Sequence, residues 1–372
     1  MRYFFVILGL WVMSFSCNAK TEQVNNKVDT LPKQVLQKTD SVKDTVIIAA
    51  VGDINFGTFV PPGNLPPHND CSPLMKPVIK YLKNADITFG NFEGTFATDK
   101  RYAKHCSNPK YCYTFGMPPS FVKCFVEAGF NILSVANNHS ADFNQHGRKL
   151  TAKTLDSVGI HWAGLVSKPY DVFEKNGIVY GFTAFAPNDG TLQITDLDMA
   201  RRIVRHLDSV ADIVIVSFHG GAEGAKHQHI TRKTEFFLGE NRGNVYRFAH
   251  TVIDAGADVV IGQGPHVTRA VEVYKNRFIA YSLGNFCNYS RININGVSGL
   301  SPIMRIYTDT NGVFIKAQII PTYQIKYKGV FYDPQGRVIK IIKNLTNEDF
   351  PENTVKITDD GWIFPNKKND EQ

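Results

Sequence analysis

The chain has 372 residues and a formal charge of +7, with 41 Lys and Arg against 34 Asp and Glu. So mild an excess suits an anionic substrate or polymer, and no basic run with interleaved aromatics argues for nucleic acid. Past the N-terminus no stretch reaches the roughly eighteen uninterrupted apolar residues of a membrane helix, so the rest of the chain should be soluble.

Arg2, an apolar run from Tyr3 to Phe15 and then Ser16-Cys17 have the layout of a bacterial export signal that ends at a cysteine. This predicts a signal peptide over 1–16, cleavage before Cys17 and a lipid on its thiol, which makes an envelope lipoprotein anchored in the membrane. An ordinary signal cut near Ser16 or Ala19 is the alternative, because Ser14 and Phe15 depart from a lipobox. Loss of Arg2 with the signal lowers the formal charge to +6. The aromatic-free segment up to residue 44 predicts a solvated tether over 17–44.

From Thr45 short apolar runs alternate with amphipathic stretches, the pattern of an α/β sandwich. Strands are expected at 46–51, 86–90, 131–135, 178–185, 212–218 and 258–262, and helices at 119–128, 146–157, 197–210 and 243–255. After Gly264 the texture is strand-like, at 270–274, 278–283, 303–308 and 313–321. These elements predict a main domain over 45–321 and an extension of hairpins and loops over 322–372. Setting Cys17 aside leaves Cys71, Cys106, Cys112, Cys124 and Cys287, so at least one should be unpaired. A local Cys106–Cys112 disulfide is the favoured pairing, and Cys287 reads as a buried thiol.

Polar residues gather where strands end. Asp53 follows VIIAAVG, Asn91 and Glu93 follow DITFG, and Asn137, Asn138 and His139 follow NILSVA. His219 follows DIVIVSF, and Gln263 and His266 follow DVVIG. In open α/β sheets ligands bind beyond the carboxyl ends of strands. Any one of these residues is explained by a turn or cap. Five such clusters are not, because caps do not need imidazole. Carboxylate, amide and imidazole together suit one or two divalent cations such as zinc, manganese or iron, which lower the pKa of water and neutralise charge on an attacked phosphoryl or carbonyl group.

The ordered set Gly52-Asp53, Gly90-Asn91-Phe92-Glu93-Gly94, Ala136-Asn137-Asn138-His139 with Asp142, His219-Gly220-Gly221 with Glu223, and Gly262-Gln263-Gly264-Pro265-His266 resembles the capsule and poly-γ-glutamate synthesis CapA-type proteins, a branch of the calcineurin-like metallophosphoesterases. Asp254-Ala255-Gly256-Ala257-Asp258 and Tyr281-Ser282-Leu283-Gly284-Asn285-Phe286 extend the likeness, which runs from about Val46 to Phe286. The resemblance implies a layered αββα metallophosphatase-like sandwich. It implies Asp53, Glu93, Asn138, His219 and His266 as metal ligands, Glu93 being the bridge, and His139 as the leaving-group acid. Glu223 and Asp142 join the catalytic set as substrate-facing or imidazole-orienting groups, with Asn55, Asn91 and Gln263 beside substrate or behind the ligands. Two positions depart from the phosphoesterase pattern: Asn55 stands where Asp-x-His has its histidine, and Gln263 replaces the first histidine of Gly-His-x-His. His227 and His229 are conceivable substitutes, although a solvated loop explains them better.

No GxSxG elbow, Walker-type loop, HExxH or GxGxxG turn is present. Two functions are therefore expected. One is a metal-dependent hydrolase or transferase acting on an anionic envelope polymer, poly-γ-glutamate among them, or on a phosphoester. The other is a non-catalytic polymer-binding protein that assists synthesis or export beside other polymer-synthesis proteins.

Overall fold

Val46–Asn55 is a β-branched and alanine run, buried along nearly its whole length, as a strand covered on both faces must be. In the computed structural model, which describes residues 44–105, 112–352 and 355–366, this strand lies at the centre of a ten-stranded sheet. On one side it runs parallel to Ile87–Phe92, followed by Ile132–Ser134 and His161–Ala163. On the other it pairs antiparallel with Leu300–Thr308, which leads to Phe314–Ile325, Trp362–Pro365 and Val355–Ile357. The expected signal, Cys17 and nearly all of the tether lie outside the described residues.

A second sheet orders Val271–Tyr274, Arg277–Ala280, Val259–Gln263, Ile213–His219, Ile178–Phe185 and Tyr170–Lys175. The two sheets meet in one core, where Ile48, Ala50, Phe89 and Ile132 face Phe182, Ile215, Val259 and Ile261. Each fully buried Phe or Ile side chain there contributes about 1.5–3 kcal/mol. Helices cover the outer faces. Leu197–Asp208 is capped by Asp196, which accepts from Met199 N, and buries Ala200, Val204 and Leu207 at helical spacing. Val245–Ile253 is capped by Asn244 and buries Phe248, Ala249 and Val252 beside it. Val122–Ala128 and Asn144–Asp156 cover the first sheet. The result is the four-layer αββα sandwich expected above.

One expectation changes. The segment after 322 is not hairpins and loops alone, because Arg337–Asp349 is a helix that places Val338, Ile339 and Ile342 in the inter-sheet core, and Val355–Ile357 and Trp362–Pro365 extend the first sheet. Only its apolar spacing announces this helix, since Gly336, at φ +61°, provides no side-chain cap. Among the cysteines, Cys71 pairs with Cys124, 53 residues on, a contact made by folding rather than by local spacing. Cys112 is disulfide-bonded, while Cys106 lies outside the described residues. Cys287 is a free thiol whose pKa is raised by burial.

Candidate metal centre

Parallel strands joined through helices bring their carboxyl ends to one edge of the sandwich. Asp53 stands in register with Asn91 on one neighbour and Asn285 on the other, and Gln263 with His219 on the second sheet. Residues in register on adjacent strands project to the same side. Glycines let the backbones close in: a Cβ on Gly52 would collide with the Gly284 carbonyl, which accepts from Asp53 N at 2.9 Å. His266 sits in the left-handed region at φ +56°, uncommon for a residue with a side chain and a form of strain that concentrates at functional sites.

Asp53, Glu93 and His266 each offer a ligand atom, and the three atoms lie within 4.8 Å of one another. His266 Nδ1 is 3.0 Å from both Asp53 Oδ2 and Asn285 Oδ1, which leaves Nε2 facing Glu93 Oε1 at 3.4 Å. His219 comes in from the second sheet with Nδ1 3.9 Å from Asp53 Oδ1. His139 places Nε2 3.9 Å from Glu93 Oε1, while its Nδ1 lies 2.8 Å from Asp142 Oδ2.

Several of these groups are buried without a hydrogen-bond partner: both carboxylate oxygens of Glu93, Asn138 Oδ1, His219 Nε2 and Gln263 Oε1. Unmade hydrogen bonds at buried polar atoms cost about 1–3 kcal/mol each, so such a cluster calls for a ligand. A divalent cation fits this set, since every orphaned atom is an oxygen or imidazole nitrogen with a lone pair to give. Burial pushes the Glu93 carboxyl well above its usual range, with Asp53 and Glu223 adding and His266 opposing. Burial would depress the His266 imidazole, but Glu93, the hydrogen bond to Asp53 and Glu223 outweigh it and raise the pKa to about 10. Burial, helped by Arg242, His266 and His139, holds His219 well below its ordinary value and so in the neutral, ligating form.

The remaining expected site residues divide. Asn91 Nδ2 donates to Asp53 Oδ1 at 2.8 Å and stands behind the cluster. Asn55 does not face it as a ligand: Nδ2 donates to the Glu93 carbonyl at 2.9 Å and Oδ1 accepts from Gly57 N at 2.8 Å, so both ends of the amide are used by the backbone. Gln263 Nε2 donates to the Val51 carbonyl at 3.1 Å, tying the two sheets together. Asp142 is fully buried behind His139, bound also to Lys104 Nζ at 2.6 Å and Phe115 N at 2.6 Å, so it is a positioning residue. His227 and His229 stay away from the cluster; His229 Nδ1 pairs with Asp349 Oδ1 at 2.8 Å.

The cluster opens into a cavity of about 650 Å³ whose wall includes Glu93, Asn138, His139, Glu223 and His266. Its cations were invisible in the sequence. Lys104 and Arg291 line it, and Arg242, buried, holds Glu223 Oε1 at 3.2 Å. Arg242 sits in an irregular stretch, ENRGN, with no periodic or motif signal. Asn285 belongs to a sequence motif that assigns it no role of its own, yet it fixes the His266 ring.

The family model described as bacterial capsule synthesis protein PGA_cap matches residues 47–290, most of the chain. The chain belongs to this family. "Capsule biosynthesis protein CapA" of Bacillus anthracis is 29% identical over 282 residues, covering 68% of this chain and 63% of that protein. "PGA biosynthesis protein CapA" of Bacillus subtilis (strain 168) is 28% identical over 266 residues, covering 67% of this chain and 65% of that protein. The chain thus spans less than two thirds of the length of either relative. A hypothetical protein from Thermus thermophilus aligns over 77% of this chain and all of its own, at 15% identity and a TM-score of 0.43. The NAD nucleotidase of Haemophilus influenzae aligns over 78% of this chain and 53% of its own, at 8% identity and 0.39. Structural likeness at that level carries no argument about chemistry, so the family membership rests on the match over 47–290.

Proposed function

We propose that this PGA_cap protein is an envelope-anchored, metal-dependent hydrolase or transferase that acts on an anionic polymer of the capsule or poly-γ-glutamate type, or on a phosphoester. The observation that carries the reading is the set of buried, unpartnered donors on Glu93, Asn138, His219 and Gln263 around the Asp53, Glu93 and His266 cluster. Those residues would hold one or two cations, of which zinc, manganese and iron suit the donors. A bound cation supplies charge that polarises the attacked group and lowers the pKa of water at the site.

The chain's own residues do the rest. Asp142 keeps the Nδ1 proton of His139 in place, so that Nε2 faces the cavity and can pass a proton to a leaving group. Asn285 and Asp53 hold His266 in the same manner, with Nε2 toward Glu93. Lys104, Arg242 and Arg291 bring positive charge to the wall, which favours an anionic substrate. Anchoring through Cys17 belongs to the same proposal, and Cys17→Ser would release the protein from membranes.

The diversion of Asn55 into backbone contacts favours the second reading, a polymer-binding protein that assists synthesis or export without turnover. Metal analysis of protein lacking residues 1–20 decides between them. Bound transition metal that is lost in Glu93→Ala, with turnover of a phosphodiester or γ-glutamyl amide, supports the enzyme; no metal after reconstitution and no turnover moves the assignment to binding. His139→Ala should abolish most turnover and leave metal content unchanged, whereas loss of metal would make His139 a ligand.

A further inference from the structure

A second cavity, of about 590 Å³, lies in the outer half of the ten-stranded sheet and shares no lining residue with the metal centre. Its origin is topological. Gly329–Tyr332 pairs with Phe314–Ile325 from Thr322 onward, and Trp362–Pro365 pairs with it at Ala317 and Gln318. Ile319 to Pro321 are left between the two partners as the floor of a notch. Tyr81 and Tyr332 stack on one wall with ring centroids 5.8 Å apart, and Tyr332 is 45% exposed. Tyr307 lines the notch and lies 6.0 Å from Trp362, so flat rings continue across the sheet surface.

Charge is sorted around these rings. Two acids of the notch are paired with bases, Asp333 with Arg337 at 3.0 Å and Asp359 with Lys343 at 2.7 Å, and Asp360 meets the Thr358 hydroxyl. The bases are not neutralised. Arg305 donates once from Nη1 to the Tyr81 carbonyl and once from Nη2 to the Asn84 carbonyl and keeps further N–H groups, Lys80 lies over the Tyr81 ring, and Lys316, beside the notch, lies 5.2 and 4.7 Å from the Tyr307 and Trp362 rings. Among the described residues none of these three bases meets a carboxylate. Lys80 and Arg305 in the notch and Lys316 beside it outnumber the one acid without a base, Asp360, so the uncommitted charge is positive and is set among aromatic rings.

We propose that this notch is a binding site for an acidic polysaccharide, separate from the metal centre. Sugar rings present flat C–H faces that pack on tyrosine and tryptophan, and carboxylates or phosphates on the same polymer pair with Arg305, Lys80 and Lys316. A polyanion without rings uses only half of this surface. The site holds a strand of envelope polymer against the protein while the metal-centre cavity remains free.

Affinity electrophoresis and calorimetry of the chain without residues 1–16 test the proposal. Polygalacturonate is the acidic glycan, dextran the neutral glycan, and poly-γ-glutamate and single-stranded DNA are the competing polyanions. Polygalacturonate should be retained at least tenfold more strongly than dextran or polyglutamate. Tyr332→Ala with Tyr307→Ala, or Lys316→Gln with Lys80→Gln, should each weaken binding about tenfold, while Tyr332→Phe, which keeps the ring, should bind as the parent does. All of these positions are at least partly exposed, and circular dichroism of each variant checks the fold. Equal binding to polyglutamate, tighter binding to DNA, or binding unchanged in the alanine and glutamine variants would overturn it.

Discussion

Two buried polar clusters, one in the loops of the second sheet and one where strand ends of both sheets meet, are built on opposite principles. Around Arg269 every donor is matched. The guanidinium forms a fork with Glu235 at 2.9 and 2.7 Å and donates to the His227 and Ala222 carbonyls, while Ala222 N donates back to Glu235. Around Glu93 the carboxylate has no hydrogen-bond donor at either oxygen, and His219, Asn138 and Gln263 leave atoms unmatched. The first cluster is complete in the protein alone. The second is complete only with something added, and this contrast separates scaffold from site more sharply than burial does, since Arg269 and Glu93 are equally hidden from solvent.

Breaking the complete cluster should cost most. Arg269→Leu leaves Glu235 charged, buried and unpaired, and a loss of about 3–5 kcal/mol in urea unfolding is expected. A loss below about 1 kcal/mol would mean that Glu235 finds other partners and that the contrast is shallower than drawn. Next comes the Cys71–Cys124 bridge, which closes 53 residues of chain over the helices of the first sheet. Cys71→Ala with Cys124→Ala should lower stability by about 2–4 kcal/mol, chiefly by freeing the unfolded chain. Unfolding of the parent in reducing and oxidising buffer adds the loss of the disulfide at Cys112 to this comparison.

The incomplete cluster should respond far less. Glu93→Gln removes a buried carboxylate that accepts no hydrogen bond but lies 3.4 Å from His266 Nε2, so in chelator the variant should be within about 1 kcal/mol of the parent. With a transition metal added, the parent should gain melting temperature and the variant should not. A parent indifferent to metal, or a Glu93→Gln variant destabilised by several kcal/mol in chelator, would mark Glu93 as scaffold.

The sequence carried the strands and the strand-end residues well, because both depend on local pattern: period-2 or continuous apolar runs, ended by polar side chains. Helices 197–210 and 243–255 each end two residues earlier than expected, where Ser209 and Asp254 close them, and the second also starts two residues later. What stayed hidden depends on partners distant in the chain. The sequence places Asn55 beside substrate or behind the ligands, and only the Glu93 carbonyl, 38 residues away, shows that its amide braces the backbone. Arg242 and Asn285 reach the site through contacts no spacing encodes, and the helix Arg337–Asp349 lacked a capping side chain to mark its start. Cys71 and Cys124 pair because the folded layers bring them together, so counting cysteines in a local loop could not find them.

The smallest expected effect is also the most diagnostic for His139. Burial alone would raise the Asp142 carboxyl, but His139 and Lys104 outweigh it and set its pKa below the ordinary value. The carboxylate thus binds a proton less readily in the folded chain than in the unfolded one, whose value is near 3.9. Its stabilising contribution is fully present above the unfolded value and disappears as pH falls through the folded one. The stability difference between parent and Asp142→Asn should therefore be flat from neutral pH down to about pH 5 and shrink below that, as read by urea midpoints at each pH. The same variant removes the charge that fixes the His139 ring, so nitrogen NMR should show His139 leaving the Nδ1–H tautomer. A ring that keeps its tautomer in Asp142→Asn would show that the Asp142 charge does not set it, and Asp142 would then serve Lys104 and Phe115 N instead of the imidazole.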